Sequence, residues 1–310
     1  MNSLYNKDLL DLTELNKEEF LDILHTAIDM KNNREKYSEV LKGKTLIMIF
    51  EKSSTRTRIS FESGMYRLGG NAIVLDSKNT QMGRGEPILD TANVMSRYAD
   101  AIMIRTFSDE MVKELATHAS IPVVNGLTDG HHPCQILADF QTMLEVKGSL
   151  EDLKIAYIGD GNNMAHSYIL GSAILGINVS IATPTAYQPQ EEIVKKAMKL
   201  AEKSGATIEI TTDPFVACKD ADFIFTDVWA SMGSEHEQNE REKAFQTIYQ
   251  VNDELVKVAK SDYHFMHCLP AHREEEVTSS IIDGEHSLIY QEAENRMHAQ
   301  NALLYKLLIA

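Results

Sequence analysis

Residues 49–70 read IFEKSSTRTRISFESGMYRLGG, and this stretch decides how the chain folds. It opens with the end of the apolar run TLIMIF, which predicts a buried strand. Phe61, Met65 and Leu68 then recur at helical spacing, which predicts a helix that begins near Ser54. A strand that leads through a short turn into a helix is the repeating unit of parallel α/β sheets. The stretch therefore predicts an α/β fold.

The same alternation of apolar runs and amphipathic helices extends over most of the chain. Strand candidates in the first half are TLIMIF, NAIVL, DAIMIRT and IPVVNG, and those in the second half are LKIAYIGD, NVSIATP, TIEIT, DFIFTDVW and YHFMHCLP. Segments such as QEEIVKKAMKLAEKSG lie between them and carry one apolar face. We therefore predict two doubly wound domains, each a mainly parallel sheet flanked by helices.

The boundary between the two domains is predicted after the helix HPCQILADFQTMLEVKG. Gly148 closes this helix, and the next strand begins near Lys154. The first domain is then 1–148 and the second is 149–290. We expect the closing helix, 291–310, to pack back against the first domain.

The composition is that of a globular protein, and it limits the possible partners. Of the 310 residues, 43% are hydrophobic and 25% are charged, and the formal net charge is -16. A chain this acidic is not expected to bind nucleic acid or an anionic membrane surface. No apolar run reaches the roughly 18 residues of a membrane span. A small anion is not excluded, because a local arginine cluster outweighs charges beyond the Debye length of about 8 Å.

The cysteine content indicates the compartment. Cys134, Cys218 and Cys268 are too few for a disulfide framework and fit a reducing environment. The first twenty residues are acidic and polar, unlike a secretory signal. We therefore predict a cytoplasmic protein.

The turn in the opening stretch combines two arginines with four hydroxyl groups. A helix start presents free N–H groups and the positive end of the helix dipole, so Ser54, Thr55, Arg56 and Thr57 are candidates to hold an anion. The spacing is not that of a P-loop, because GxxxxGK[ST] is absent. The alternative interpretation is an ordinary serine N-cap with exposed arginines.

Further polar candidates follow strands or begin helices. Arg105 ends the strand AIMIRT, and His132 and Gln135 flank Pro133 at a helix start. In open α/β sheets, ligands lie beyond the carboxyl ends of the strands. His132 and Gln135 could donate hydrogen bonds to a carbonyl oxygen there. The alternatives are an exposed arginine and a capping turn.

The second half offers a similar set of polar groups. Asn163 lies in a strand-to-helix turn, and Asp227 ends the strand DFIFT, where its carboxylate could hold a substrate ammonium group. A polar loop with Ser231 and Met232 follows. Cys268 ends a strand that Pro270 stops. The alternatives are a turn aspartate and a buried packing cysteine.

Metal and dinucleotide sites are not predicted. His131, His132, Cys134, His267 and Cys268 are potential metal ligands, but their spacing matches no zinc finger or HExxH pattern. The turn IGDGNN has the first two glycines of the GxGxxG fingerprint and lacks the third. We expect neither a metal nor an organic cofactor.

Taken together, these motifs point to a known family. S-T-R-T-R after a strand, then H-P-x-Q, D-x-x-x-S-M-G and H-C-L-P, in this order and spacing, resemble the aspartate/ornithine transcarbamoylase superfamily. The resemblance runs from about residue 40 to the closing helix and includes GRGEPILDTANVMSRYADAIMIRTF and EAENR. S-M-G together with H-C-L-P is similar to the ornithine-specific members.

The resemblance implies a role for each matching position. Implied carbamoyl phosphate contacts are Ser54, Thr55, Arg56, Thr57, Gln81, Arg105, His132, Gln135 and Arg296. Implied L-ornithine contacts are Asn163, Asp227, Ser231, Met232, Cys268 and Leu269. Implied catalytic residues are Arg105, His132 and Cys268. Family members lend the residue matching Gln81 across a subunit interface, which implies a homo-oligomer, either a trimer or a multiple of trimers.

The implied reaction is transfer of the carbamoyl group to the δ-amine of ornithine in an interdomain cleft, giving citrulline and phosphate. It would serve arginine biosynthesis or arginine catabolism. Thr57, Arg105 and His132 would stabilise the oxyanion, an effect worth about 2.7–4 kcal/mol per donor in other enzymes. No cofactor is needed, because carbamoyl phosphate is already activated. Cys268 and the departing phosphate both remain candidates for the proton acceptor.

Other activities remain open at this point. A putrescine carbamoyltransferase would not need an S-M-G loop to bind a carboxylate, and an aspartate carbamoyltransferase would need a basic loop where DVWASMGSEHE stands. A non-catalytic paralogue that only binds carbamoyl phosphate would be expected to lack Arg105, His132 or Cys268. A nicotinamide dehydrogenase would need the missing glycine fingerprint.

Overall fold

The computed structural model describes residues 2–230, 238–246 and 248–310 of the chain, without the side chains of Asn79 and Gln238. The strands are β1 (Thr45–Phe50), β2 (Asn71–Asp76), β3 (Ala101–Arg105), β4 (Val123–Leu127), β5 (Lys154–Ile158), β6 (Asn178–Ala182), β7 (Ile208–Thr211), β8 (Phe223–Thr226) and β9 (His264–His267). The α-helices are α1 (Lys17–Asn32), α2 (Thr55–Arg67), α3 (Ile88–Tyr98), α4 (Asp109–His118), α5 (Pro133–Lys147), α6 (Asn163–Leu175), α7 (Glu191–Ser204), α8 (Pro214–Cys218), α9 (Gln238–Phe245), α10 (Ser279–Ile282) and α11 (Ile289–Leu308). Every predicted strand is present.

The first sheet has the strand order β2-β1-β3-β4, and all its pairs are parallel. The chain leaves β1 toward β2 on one side, whereas β3 and β4 are added on the other, so the order reverses between β1 and β3. Ligands of open α/β sheets bind at such a switch point. Phe50, the last residue of β1, pairs with Arg105, the last residue of β3. The turn after β1 and the Arg105 side chain therefore begin next to each other at the carboxyl edge of the sheet.

The second sheet has the order β7-β6-β5-β8-β9 and is also parallel throughout. Its switch point lies between β5 and β8. Ile158 pairs with Thr226, and Thr226 pairs with His267. The turns that follow β5, β8 and β9 therefore begin side by side, and these are the turns that contain Asn163, Asp227 and Cys268.

Burial of the central strands explains why they read as continuous apolar runs. β3 is buried along its whole length, and β1 is buried from its second residue onward, whereas β2 at the edge is half exposed. Strands covered by helices on both faces cannot alternate polar and apolar residues. Each sheet has its own apolar core, with Ile49 and Ile104 in the first and Ile158 and Phe265 in the second.

The chain divides into two compact units. The first ends at Gln141 and resumes at Ala293, and the second is Thr142–Glu292, so the chain changes unit inside α5 and again inside α11. The predicted α/β class, the two sheets and the return of the closing helix to the first unit are confirmed. The residue boundaries at Gly148 and at 291 stay predictions. Among the described residues, no helix has the length and apolar character needed to cross a bilayer.

Candidate functional site

The turn after β1 is both an N-cap and a cluster of polar donors. Ser54 is extended (φ -160°, ψ 118°), and its hydroxyl oxygen accepts a hydrogen bond from the Thr57 N–H at 3.2 Å. The interpretation of Ser54 as an N-cap is therefore confirmed, and it does not conflict with a role in anion binding. Thr55 and Arg56 are exposed at the first turn of α2, while Thr57 is buried. The cap fixes the backbone of the turn that carries Thr55, Arg56 and Thr57.

Two buried guanidinium groups from distant parts of the chain converge on the Thr57 hydroxyl. Nη1 of Arg105 lies 3.5 Å from Thr57 Oγ1, and Nη2 of Arg296 lies 3.4 Å from the same oxygen. Arg105 comes from the end of β3, and Arg296 comes from α11. Two like charges beside one hydroxyl form a strongly electropositive pocket wall, which an anion would stabilise.

His132 lies within this positive cluster. Burial lowers the pKa of the imidazole well below its usual range, and the charges of Arg296, Arg105 and Arg56 lower it further. All three arginines are thus near enough to His132 to disfavour its charged form. His132 is therefore neutral at physiological pH and offers one N–H donor without adding a fourth positive charge.

Gln135, one turn along α5, is held at both ends of its amide. Its Nε2 donates to Oδ1 of buried Asp139 at 2.8 Å, and its Oε1 accepts from Nη1 of Arg296 at 2.7 Å. Because a carboxylate can only accept, Asp139 fixes which end of the amide is the donor. Asp139 was not among the predicted site residues, since nothing in the sequence distinguishes an aspartate within an amphipathic helix from an exposed one.

The loop before His132 is held in place by α4. Thr128 Oγ1 donates to Asp109 Oδ1 and accepts from the His131 N–H at 3.1 Å. A Cβ on Gly130 would lie 2.2 Å from Oδ2 of Asp109, so only glycine leaves room for this carboxylate. Asp109 looks like an ordinary first-turn acid of α4 in the sequence, which is why its role in the loop was missed.

A buried lysine links the turn after β1 to the loop after β4. Lys52, only 6% exposed, pairs with Asp129 and lies 4.2 Å from the ring centre of Phe107. The N–H of Glu51 donates to the Arg105 carbonyl at 2.8 Å. The three polypeptide turns that carry the polar cluster are thus tied together.

Gln81 is the one predicted carbamoyl phosphate contact that stands apart. It lies in the turn before α3, its side chain is exposed, and its carbonyl accepts from the N–H groups of Arg84 and Glu86. Among the described residues, no hydrogen bond joins its side chain to Arg105 or His132.

In the second unit, Asp227 is the centre of a polar group at the switch point. Its Oδ1 accepts from the Val228 N–H at 2.8 Å and from the Cys268 thiol at 3.3 Å. Its Oδ2 accepts from Nδ2 of Asn162 at 3.2 Å. The carboxylate of the turn after β8 is thus oriented by groups from the turns after β5 and β9.

Asn162, the neighbour of Asn163 in the strand-to-helix turn, donates its side-chain amide to Asp227, and the role of Asn163 as an ornithine contact stays a prediction. Asn162 caps α6 by accepting from the N–H groups of Met164 and Ala165. Its Oδ1 also accepts from the Tyr157 hydroxyl at 3.2 Å. Burial raises the pKa of that hydroxyl well above its usual range, with a smaller contribution from Asp227, so it stays protonated and remains a donor.

The turn after β9 is shaped by His267. Leu269 adopts a left-handed conformation (φ 57°), and its N–H donates to Nδ1 of His267 at 2.9 Å. Nδ1 is therefore an acceptor, and Nε2, 3.1 Å from Oε1 of buried Glu276, carries the proton. Asp227, His267 and Cys268 lie close enough to consider a metal ion. Both imidazole nitrogens of His267 are already engaged, so this geometry does not favour one there.

Ser231 and Met232, the two remaining predicted ornithine contacts, lie outside the described residues. The structure brings the predicted carbamoyl phosphate contacts, apart from Gln81, to the first switch point. It brings Asp227 and Cys268 together at the second.

Comparison with known proteins shows close similarity over the whole chain. A family model described as "Aspartate/ornithine carbamoyltransferase, carbamoyl-P binding domain" matches residues 7–145, and one described as "Asp/Orn binding domain" of the same family matches residues 151–307. An ornithine carbamoyltransferase of Listeria monocytogenes serotype 4b is 60% identical over 309 residues, covering 100% of this chain and 98% of that one. One of Anoxybacillus flavithermus is 57% identical over 308 residues, covering 98% of each.

Solved structures agree with these sequence matches. The ornithine carbamoyltransferase from Pyrococcus furiosus has a TM-score of 0.95 at 50% identity, covering 99% of each chain. The one from Thermus thermophilus has a TM-score of 0.86 at 40% identity, covering 97% of this chain and 98% of that one.

Proposed function

This chain belongs to the aspartate/ornithine carbamoyltransferase family, and we propose that it transfers the carbamoyl group of carbamoyl phosphate to the δ-amine of L-ornithine. The products are L-citrulline and phosphate. The observation that carries this proposal is the convergence of the Arg105 and Arg296 guanidinium groups on the Thr57 hydroxyl at a sheet switch point, with a neutral His132 nearby. Such a group suits an anion that also presents a carbonyl oxygen.

The first unit binds carbamoyl phosphate. The start of α2, with Ser54, Thr55, Arg56 and Thr57, takes the phosphate, because free N–H groups at a helix start and a guanidinium group both favour a dianion. Arg105 reaches the same ligand from the end of β3. Gln135 and Arg296 address the carbamoyl amide, and their mutual hydrogen bond of 2.7 Å supports joint binding.

The same residues stabilise the charge that develops during the reaction. As the δ-nitrogen attacks the carbonyl carbon, the carbonyl oxygen becomes negative, and His132, Arg105 and Thr57 donate hydrogen bonds to it. A neutral imidazole already carries the required N–H, so no change of protonation precedes the step. Preorganised donors of this kind are worth about 2.7–4 kcal/mol each in other enzymes.

The second unit holds L-ornithine. The Asp227 carboxylate attracts an ammonium group, and Asn163, Ser231, Met232 and Leu269 stay the predicted contacts beside it. The Cys268 thiol donates a hydrogen bond to Asp227, so we assign the proton transfer to the departing phosphate rather than to Cys268. The δ-ammonium group of ornithine releases one proton to solvent before the attack. The proton lost when the C–N bond forms leaves on the phosphate, so citrulline, hydrogen phosphate and the released proton account for every atom and charge.

The chain acts as a trimer or a multiple of trimers in the cytoplasm. An interface would account for Gln81, which is exposed here and placed apart from the other predicted contacts. It would also cover the exposed Ile73, Val94 and Tyr98 on β2 and α3. None of the three cysteines forms a disulfide, which suits a reducing compartment.

Initial-rate assays with carbamoyl phosphate and ornithine, putrescine or aspartate test this proposal. We expect citrulline from ornithine and no product from the other two amines. Carbamoylputrescine as the main product would assign the protein to a different amine. Binding of carbamoyl phosphate without turnover of any amine would favour a non-catalytic paralogue.

A further inference from the structure

Gln300 is fully buried on α11, one helical turn after Arg296. Hydrogen bonding decides the orientation of its amide. The oxygen accepts from Nη2 of Arg296 at 3.0 Å and from Nε at 3.2 Å, and the nitrogen donates to Ser60 Oγ at 2.7 Å. A single neutral oxygen thus accepts hydrogen bonds from both nitrogens on one edge of the guanidinium.

These contacts close a circuit that includes the start of α2. Ser60 Oγ donates to the Thr57 carbonyl at 3.2 Å, and Thr57 Oγ1 accepts from Nη2 of Arg296 at 3.4 Å. The circuit therefore runs from Arg296 to Gln300, Ser60 and Thr57, and back to Arg296. All four side chains are buried, where hydrogen bonds are stronger and an unmet partner is costly.

The circuit constrains a flexible cation without reducing its charge. With Nε and Nη2 bound to Gln300, the guanidinium plane is fixed, and Nη1 is directed at Gln135. A carboxylate in place of Gln300 would form an ion pair with Arg296 and cancel the positive charge that an anionic ligand needs. A neutral amide holds the same geometry and adds no negative charge of its own.

We propose that Gln300 is a positioning residue for carbamoyl phosphate binding, which acts through Arg296 and is itself supported by Ser60. It does not touch the substrate. It sets the direction of the guanidinium that faces the carbamoyl group and anchors it to the turn that binds phosphate. This inference rests on the proposed function, because it names the ligand by that reaction.

Three variants and one control test it: Q300M, S60A, the double variant S60A/Q300M, and N301A. Methionine keeps the volume of Gln300 and removes its hydrogen bonds. Asn301 is the matched control, because it is buried on the same helix and faces α2 at Gly64, while its amide oxygen has no hydrogen-bond partner among the described residues.

Hydrogen bonds to charged groups are among the stronger ones, so Q300M is expected to raise the KM for carbamoyl phosphate about tenfold. The KM for ornithine should stay within about twofold, as should both constants in N301A. S60A should have a smaller effect. The double variant should resemble Q300M alone, because Ser60 acts through Gln300. Equal increases in both KM values, additive effects, or no change in Q300M would overturn the inference.

Calorimetric titration with carbamoyl phosphate, in the absence of ornithine, separates this inference from the proposed function. It requires no turnover, and it reports on the carbamoyl group that Arg296 faces. Absence of citrulline formation by the unmodified chain would refute the proposed function alone. Carbamoyl phosphate affinity equal in Q300M and the unmodified chain, at unchanged melting temperature, would refute the role of Gln300 alone.

Discussion

The Cys268 thiol donates a hydrogen bond to Oδ1 of Asp227 at 3.3 Å, while Nδ2 of Asn162 donates to Oδ2 at 3.2 Å. Both oxygens of the carboxylate are therefore oriented by neutral donors from neighbouring turns. A carboxylate held in this way keeps its negative charge and its direction, which is what recognition of a substrate ammonium group requires.

Replacing Asp227 with asparagine tests this arrangement. The amide nitrogen would face a donor, either Asn162 or Cys268, and the negative charge would be lost. We expect kcat/KM for ornithine to fall by about 100-fold or more. The substrate ammonium group loses a charged hydrogen-bond partner, and the new amide nitrogen faces another donor. The KM for carbamoyl phosphate should stay within about threefold of the unmodified value.

Asp213→Asn is the matched control for that experiment. Asp213 also follows a strand of the second sheet, and it caps α8 by accepting from the Phe215 N–H at 2.9 Å. Asparagine caps helices as well as aspartate does, so activity should be unchanged. Similar losses in both variants would mean that Asp227 is only a turn residue.

Arg56 and Arg58 provide a pair of arginines on the same turn with different surroundings. The charge of Arg56 acts on His132, whereas Arg58 pairs with Glu62 on the exposed face of α2 at 3.2 Å. We expect Arg56→Gln to raise the KM for carbamoyl phosphate about 100-fold, because a bound dianion loses a charge-assisted partner. Arg58→Gln should change it less than about twofold. Initial rates at several salt concentrations measure both, and equal effects would point to general surface charge.

The fold was predictable because its strands are covered on both faces. A strand buried on each side must be a continuous apolar run, so β1 and β3 stand out in the sequence. The strand order is a different matter. It depends on pairings such as Phe50 with Arg105, which no local pattern records. The positions of the two switch points therefore required the structure.

The candidate site was predictable in part, for a related reason. Residues at strand ends and helix starts, such as Arg105 and His132, occupy places where an α/β fold collects ligands. The sequence shows two adjacent asparagines after β5, and only the backbone shows that Asn162 is the one that caps α6. Asp139 and Gln300 were missed because a polar residue inside a helix is normally solvated. Only tertiary packing shows that they hold Gln135 and Arg296.

The close approach of Gly64 on α2 to Asn301 on α11 allows a test of packing in the first unit. A Cβ at Gly64 would lie 2.1 Å from Oδ1 of Asn301. Gly64→Ala should therefore destabilise the protein by about 1–3 kcal/mol through overpacking. In an Asn301→Ala background the sign should reverse, since alanine is preferred over glycine in a helix by up to about 1 kcal/mol. Urea unfolding of the unmodified chain, the two single variants and the double variant gives the coupling free energy between the two positions. Additive changes in the free energy of unfolding would contradict the contact.

The cysteines should differ in reactivity. Burial raises the pKa of the thiols of Cys134 and Cys218 to about 12, so at pH 8 only about one molecule in 10,000 carries a thiolate at either position. Cys268 is less deeply buried. Iodoacetamide followed by peptide mass spectrometry should label Cys268 first and the other two only after unfolding. Labelling of Cys134 in the folded protein would contradict its complete burial.

The depressed pKa of His132 predicts a pH dependence of stability with a definite sign. The unfolded chain takes up a proton at this position near pH 6.5, whereas in the folded chain burial, and then the charges of Arg296, Arg105 and Arg56, oppose protonation. The free energy of unfolding should therefore fall as the pH drops below about 6.5. This residue alone should contribute a loss on the order of 1 kcal/mol by pH 5.5.

Urea unfolding at pH 7.5 and pH 5.5 measures this contribution when the unmodified chain is compared with His132→Gln. The variant keeps a neutral donor and cannot take up the proton, so its stability should fall by an amount on the order of 1 kcal/mol less between the two pH values. His25→Gln, an exposed position on α1, controls for the loss of an imidazole. An identical pH dependence in His132→Gln and the unmodified chain would mean that His132 is not held neutral by its surroundings, and the role of an uncharged donor to the carbonyl oxygen would fall with it.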